Sequence, residues 1–326
     1  MKKGISYAKW GYIFLIPFFV VYFIFSLVPM LETFGYSFLD YVVSQGSVSS
    51  IRGGGGGADT IINHGFCGFK NYSDVLKSDG LFTLSFKNTT ILWLVGFIPQ
   101  IVVSLLLASW FTDIRLKLKA QGFFKTVMYL PNVIMASALS LLFYSLFIKN
   151  GAMDTMLGHP DMLNKVGGAR MVVGLINFLM WYGNTTIMLM AAMMGIDTSL
   201  YEASQIDGAN PTQVFWQITI PLIKPILAYV LVTSMIGGLQ MYDVPYLIGG
   251  TTGNPAGVLK TLVSQIQLGK NSSIGAVSAL SILIFIVSAI LGFITLKVMD
   301  DKSVKSMYDV KKKKQPKKIN MATSRK

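Results

Sequence analysis

Six runs of mostly apolar residues, separated by polar segments, dominate the chain: Trp10–Met30, Thr89–Phe111, Val127–Ile148, Met171–Ile196, Pro225–Ile248 and Ile274–Met299. Each matches the about 20 residues that an α-helix needs to cross a hydrocarbon core. None carries a charged side chain near its middle. In lipid a backbone must satisfy its own hydrogen bonds, so each run predicts a helix. The short alternating segments of a membrane β-barrel do not occur. The predicted fold is all-α and integral to the membrane, with six transmembrane helices.

Composition supports this. Apolar residues make up 52% of the chain and charged ones 13%, against about a quarter charged in soluble domains. Mean hydropathy is +0.56. Lys2, Lys3 and Lys9 before the first run resemble the start of a secretory signal, whose apolar stretch is only about 7–15 residues. This run is longer, contains Pro17 and Pro29, and is followed by Glu32 with no Ala-x-Ala pattern. It reads as a retained first helix.

Orientation follows from the basic residues. With the N-terminus inside, most of the 28 Lys and Arg fall on the cytoplasmic side. Arg115, Lys117, Lys119 and Lys125 weigh most because their loop is short. Residues 1–9 are then a cytoplasmic N-terminus and residues 10–299 the membrane domain, with an external loop at 32–88 and a cytoplasmic loop at 197–224. Residues 300–326 form a basic cytoplasmic tail. That tail, with Lys311–Lys314, Lys317 and Lys318, lacks the apolar content to fold. Beside a membrane helix, and with a net charge of +13, it reads as a partner for anionic lipid, not nucleic acid.

The loop from Ser199 to Pro225 is specified far beyond the needs of a connection. Ser199 and Glu202 have the spacing of a capping box. Tyr201, Ala203 and Ile206 are the less polar residues of a short helix that stops at Gly208, a C′ residue able to turn left-handed. Asn210-Pro211 restarts the chain as N-cap and first helical residue. Such a knob suggests docking into a partner, or else an amphipathic helix at the membrane surface.

These residues resemble a known family. Glu202-Ala203-Ser204, Asp207-Gly208-Ala209, Phe215, Ile218, Ile220 and Pro221 look like the EAA loop of ATP-binding-cassette importer permeases, with Ser204 and Ile220 as mild departures. Gly68, Asn71 and Tyr72, then Gly122–Lys125 with Leu130-Pro131-Asn132, are similar to the maltose-transporter F-like subgroup of sugar permeases. Tyr246–Gly250 with Asn254-Pro255 looks like its G-G-P external loop, with an insertion that blurs the register. Gly53–Gly57 has no counterpart. The resemblance implies a coupling role for Glu202, Ala203, Ser204, Asp207, Gly208, Ala209, Phe215 and Pro221, placed between helices 4 and 5. It implies a cytoplasmic ATPase dimer holding ATP and Mg2+, a second permease subunit, an extracytoplasmic sugar-binding protein and a bacterial cytoplasmic membrane. No cofactor is expected on this chain itself.

Catalytic chemistry is nearly absent from the residues. Cys67 is the single cysteine, and the two histidines, His64 and His159, cannot assemble a metal site. No Walker A sequence occurs. Candidates for a substrate path are the polar and aromatic residues inside the spans: Trp181, Tyr182 and Asn184 in the fourth, Gln240, Tyr242 and Asp243 late in the fifth, and Gln100 in the second. Flat rings beside amides and a carboxylate suit a sugar. The same residues also fit an interfacial aromatic belt and amides that join helices. A non-sugar importer, for instance for glycerol phosphate, shares the loop logic, although an anion would want buried Lys or Arg. A secondary transporter would want more intramembrane carboxylates than Asp243.

Overall fold

The structure, a computed structural model, describes residues 8–44, 60–77, 81–113, 120–158, 160–252, 259–269 and 273–299. Gly53–Gly57, Arg115, Lys117, Lys119, His159, Asn254-Pro255 and the tail lie outside the described residues.

The first run forms α1 (Ala8–Tyr22), a π turn (Phe23–Leu27) and α2 (Val28–Tyr36). Together Gly11–Tyr36 is long and apolar enough to cross a membrane, and none of its most apolar window is buried within the chain. Glu32, expected in the following loop, lies inside α2. The π turn comes just before Pro29, a residue with no N–H to give an α-helical bond.

The loop that follows departs from the all-α expectation. Strands β1 (Leu39–Ser44) and β2 (Thr60–Phe66) pair antiparallel, with Leu39 opposite Phe66 and Val42 opposite Ile62. Val42, Val43, Ile61 and Ile62 are β-branched residues that favour a pleated strand. Helix α3 (Lys70–Lys77) is tied to β1 by Asn71, whose buried amide donates to the Ser37 and Leu39 carbonyls at 2.9 Å each.

Helix α4 (Leu81–Thr112) extends the second run at its N-terminal end. The third run is not one straight helix: α5 (Gln121–Val133) and α6 (Ala136–Phe147) meet at 91°. Pro131 sits in the last turn of α5, and Ile134 turns extended with ψ 135. After α7 (Ala152–Met156) come α8 (Val166–Met194), α9 (Thr198–Ile206) and α10 (Pro211–Val214). A second π turn (Phe215–Thr219) leads into α11 (Ile220–Leu239), followed by α12 (Asp243–Thr252), α13 (Leu262–Gly269) and α14 (Ile274–Met299). Among the described residues five helices are long and apolar enough to span a membrane, or six with the bent pair counted as one.

The chain divides into two compact units. The first comprises Met1–Leu92, Tyr144–Arg170 and Leu239–Ser288. Polar side chains hold it: buried Asn88 accepts from Arg170 and donates to the Lys260 carbonyl, while Thr89 accepts from the Leu262 N–H at 3.1 Å. The second comprises Trp93–Phe143, Met171–Gly238 and Ala289–Lys326. Its apolar core joins Phe97 and Ala108 of α4, Leu189, Met190 and Met193 of α8, and Ile223 and Val230 of α11. Small residues bring these helices close, the expected device in a membrane where burial alone drives little association. A Cβ on Gly174 would lie 2.4 Å from Val95, and one on Gly238 would lie 2.4 Å from the Trp93 ring.

Candidate functional site

The segment between α8 and α11 folds as a built knob within the second unit. Asp197, not Ser199, is the N-cap of α9: its carboxylate accepts from the Ser199 N–H at 3.1 Å. The capping box expected at Ser199 and Glu202 does not form. Asp197 already takes the capping position with extended backbone, which puts Ser199 inside the first turn. Asp207 is the C-cap, and Gly208 adopts φ +75, the left-handed turn expected of it. The Ala209 N–H closes onto the Ser204 carbonyl at 2.9 Å. Asn210 then caps α10 in a reciprocal box with Gln213, its side chain accepting from the Gln213 N–H at 2.8 Å.

Two faces result. Glu202, Ala203, Asp207, Gly208 and Pro221 are exposed, whereas Ser204 is buried and Ala209 and Phe215 are half-buried. Ile206, beside the Gly208 corner, is 87% exposed, and Trp216 on the π turn is 61% exposed. Large apolar side chains held outward on a rigid corner are a surface for another protein or for lipid. In sequence Ile206 reads only as one of the less polar residues of a short helix. Its place next to the left-handed stop was the available signal. Inside the knob, Tyr201 and Thr219 hydroxyls meet at 3.2 Å and bind α9 to the π turn.

The proposed path residues fall into two groups in different units. In the second unit, Trp181 is exposed, Tyr182 is half-buried and stacks on Phe178 at 5.1 Å, and Asn184 is half-buried. Helix α8 runs through them without a break. Its neighbouring polar atoms join helices: the buried Gln100 amide donates to Thr185 Oγ1 at 2.8 Å, Ser104 to the Tyr182 carbonyl, and Asn132 to the Met180 carbonyl. Gln100 therefore joins helices. Asn184 makes no side-chain hydrogen bond among the described residues. In the first unit, the fifth run breaks at residues 240–242, and Asp243 opens α12. Gln240 and Asp243 are exposed there, and half-buried Tyr242 stacks on Tyr246 at 4.9 Å. A carboxylate in the first turn of a helix is favoured by the helix dipole, which suits Asp243, for which no ion pair is found among the described residues.

Long apolar helices, with amides and hydroxyls buried at their crossings and a structured surface knob, define a polytopic α-helical membrane protein. Over residues 100–305 the chain matches the family of binding-protein-dependent transport system inner membrane components, and it belongs to that family. It is thus a membrane subunit of a transport system and not an enzyme. It is 31% identical to the lactose transport system permease protein LacF of Rhizobium radiobacter, over 67% of this chain and 76% of LacF. Identity to the multiple sugar-binding transport system permease protein MsmF of Streptococcus mutans is 26%, over 89% and 94% of the two chains. Identity to the arabinooligosaccharides transport system permease protein AraP of Bacillus subtilis is 28%, over 91% of each. A chain in the crystal structure of a bacterial transporter that imports the acidic polysaccharide alginate superposes with a TM-score of 0.67 at 20% identity, over 89% of this chain and 95% of that one. At that identity the likeness is one of fold.

Proposed function

We propose that the chain is one of two permease subunits of an ATP-driven, binding-protein-dependent importer of neutral sugars in a bacterial cytoplasmic membrane. In this reading six spans cross the bilayer with both termini inside. The knob from Asp197 to Pro221 is the coupling loop that seats in a cytoplasmic ATPase dimer, which holds ATP and Mg2+. An extracytoplasmic sugar-binding protein delivers cargo. The observation that carries the proposal is the knob itself: two helices fixed by Asp197, Gly208 and Asn210, with Ile206 held 87% exposed at the corner. A loop that only joined two spans would need none of this.

Coupling then has a direct route. The knob continues without interruption through the π turn into α11, so its displacement tilts a membrane helix. That helix ends at Leu239, and Gln240, the stacked Tyr242 and Tyr246, and Asp243 follow it in the chain. Rings, an amide and a carboxylate at a helix break are suitable partners for a sugar, and Trp181, Tyr182 and Asn184 offer the same chemistry on α8. The sugar permeases among the relatives point the same way. The test is to tag the C-terminus, extract membranes in mild detergent and identify what co-purifies. A cytoplasmic ATPase and a second permease are expected. A stable lone chain or homo-oligomer without ATPase would overturn the proposal.

A further inference from the structure

The loop after the first span, within the first unit, is tied down as a block. Besides the two bonds from Asn71, the Tyr72 hydroxyl donates to Ser37 Oγ at 2.7 Å, and Ser37 Oγ donates to the Phe34 carbonyl at 2.6 Å. The Cys67 N–H donates to the Phe38 carbonyl at 2.9 Å. Rings run along this block from the end of α2 to α3. Phe34 meets Phe38 at 5.3 Å, Phe38 meets Phe69 at 5.5 Å, and Phe69 meets Tyr72 at 5.8 Å. Two rings stay bare on it: Phe66 is 80% exposed and Phe69 73%. Large apolar side chains held outward on a fixed frame mark a contact with something other than water.

Position, area and charge together select lipid. The span Gly11–Tyr36 has 26 residues, about 39 Å at the helical rise, against a hydrocarbon core of about 30 Å. Its last turns therefore reach the headgroups. Exposed Glu32 marks that level, because a carboxylate is costly deeper in the bilayer. Phe34 lies two residues further on, so the row of rings starts at the membrane boundary and continues the apolar surface of the span. A phenylalanine carries about 150–250 Å², so Phe66 and Phe69 together bare roughly 300 Å². An ordinary protein interface takes about 800 Å² from each partner. The described residues from Leu39 to Lys77 include Asp40, Lys70, Asp74 and Lys77. Two charges of each sign, with Lys70 at 3.8 Å from Asp40, leave apolar contact as the attraction.

We propose that the block of β1, β2 and α3 rests on the bilayer as an interfacial foot, with the Phe66 and Phe69 rings inserted between lipid headgroups and the upper acyl chains. The hydrogen bonds at Ser37 and Phe38 join the foot to the end of α2, so it fixes the depth of the first span. That span buries none of its most apolar window within the chain, and the foot gives it a second point of attachment. The foot serves any cargo and either orientation of the chain in the membrane.

Nitroxide labels on the full chain in phosphatidylcholine nanodiscs test the foot. Cys67 is the single cysteine, and Cys67→Ser removes it while keeping a donor to the Phe38 carbonyl. Labels then go in turn on Phe66→Cys, Phe69→Cys and Asp74→Cys, the last an exposed charged position on α3. Oxygen, which concentrates in lipid, and a water-soluble nickel chelate report the surroundings of each label. At positions 66 and 69 oxygen collisions should exceed those with the chelate, and at 74 the order should reverse. Collisions dominated by the chelate at 66 or 69 overturn the proposal, and so does shielding from both agents, which marks a protein contact. In native membranes, a benzoylphenylalanine in place of Phe69 should cross-link to lipid. Cross-linking to another protein instead of lipid would overturn the foot even where the labels report immersion.

Discussion

Replacing Gly208 isolates the contribution of one backbone conformation to coupling. A Cβ at this position meets nothing within 4 Å, and φ is +75. The penalty of a substitution is therefore conformational, with no steric term from neighbours. An ordinary L-residue in the left-handed region costs roughly 1–2 kcal/mol, Asn less, and a β-branched residue more. The turn is closed by the Gly208 N–H to the Gln205 carbonyl at 3.1 Å and the Ala209 N–H to the Ser204 carbonyl at 2.9 Å. A cost of about 1–2 kcal/mol shifts such a local equilibrium roughly 5–30-fold. The knob would then lose its corner while the membrane helices stay folded. In the series Gly208→Asn, Gly208→Ala and Gly208→Val, the ATPase recovered per tagged chain should fall in that order, with thermal unfolding of the helices nearly unchanged. A valine variant that recovers as much ATPase as wild type would refute the claim that the left-handed corner is needed.

Two further substitutions test the packing. Gln100→Leu removes the donor to Thr185 and should lower stability by about 0.6 and at most about 1.7 kcal/mol, as for other hydrogen bonds between membrane helices; Gln100→Leu with Thr185→Val should cost less than the two singles summed, read by denaturation in detergent. Gly183→Ala would set a methyl group 2.0 Å from the Met128 carbonyl and should sharply cut the yield of folded protein, while Gly237→Ala, which meets nothing, should be neutral or gain up to about 1 kcal/mol.

The parts of the fold written in local chemistry were legible. The corner at Gly208 and the cap at Asn210 follow from residue types that few other conformations accommodate, and the structure has both. The start of α9 was misplaced by two residues because Asp197 and Ser199 are both good caps, and only the chain's entry angle decides between them. The bend between α5 and α6 was hidden inside an apolar run, although Pro131 marked where it falls. The paired strands were hidden because their segments lie on either side of a glycine-rich stretch. Among the polar residues of the spans, Gln100 and Asn184 look alike in sequence. One is buried on Thr185 and the other makes no such bond, a difference set by which helix passes opposite. A cleft behind the knob draws on α4, α8, α9, α10 and the second π turn, so no single stretch could announce it.

The most direct test of the account is photo-cross-linking from Ile206 in native membranes, with Tyr246 as a second probe position. The account predicts a cross-link from Ile206 to a cytoplasmic ATPase, lost in Gly208→Val, and none from Tyr246 to that protein. Cross-links from Ile206 to lipid alone, in membranes that contain the assembled transport system, would contradict it.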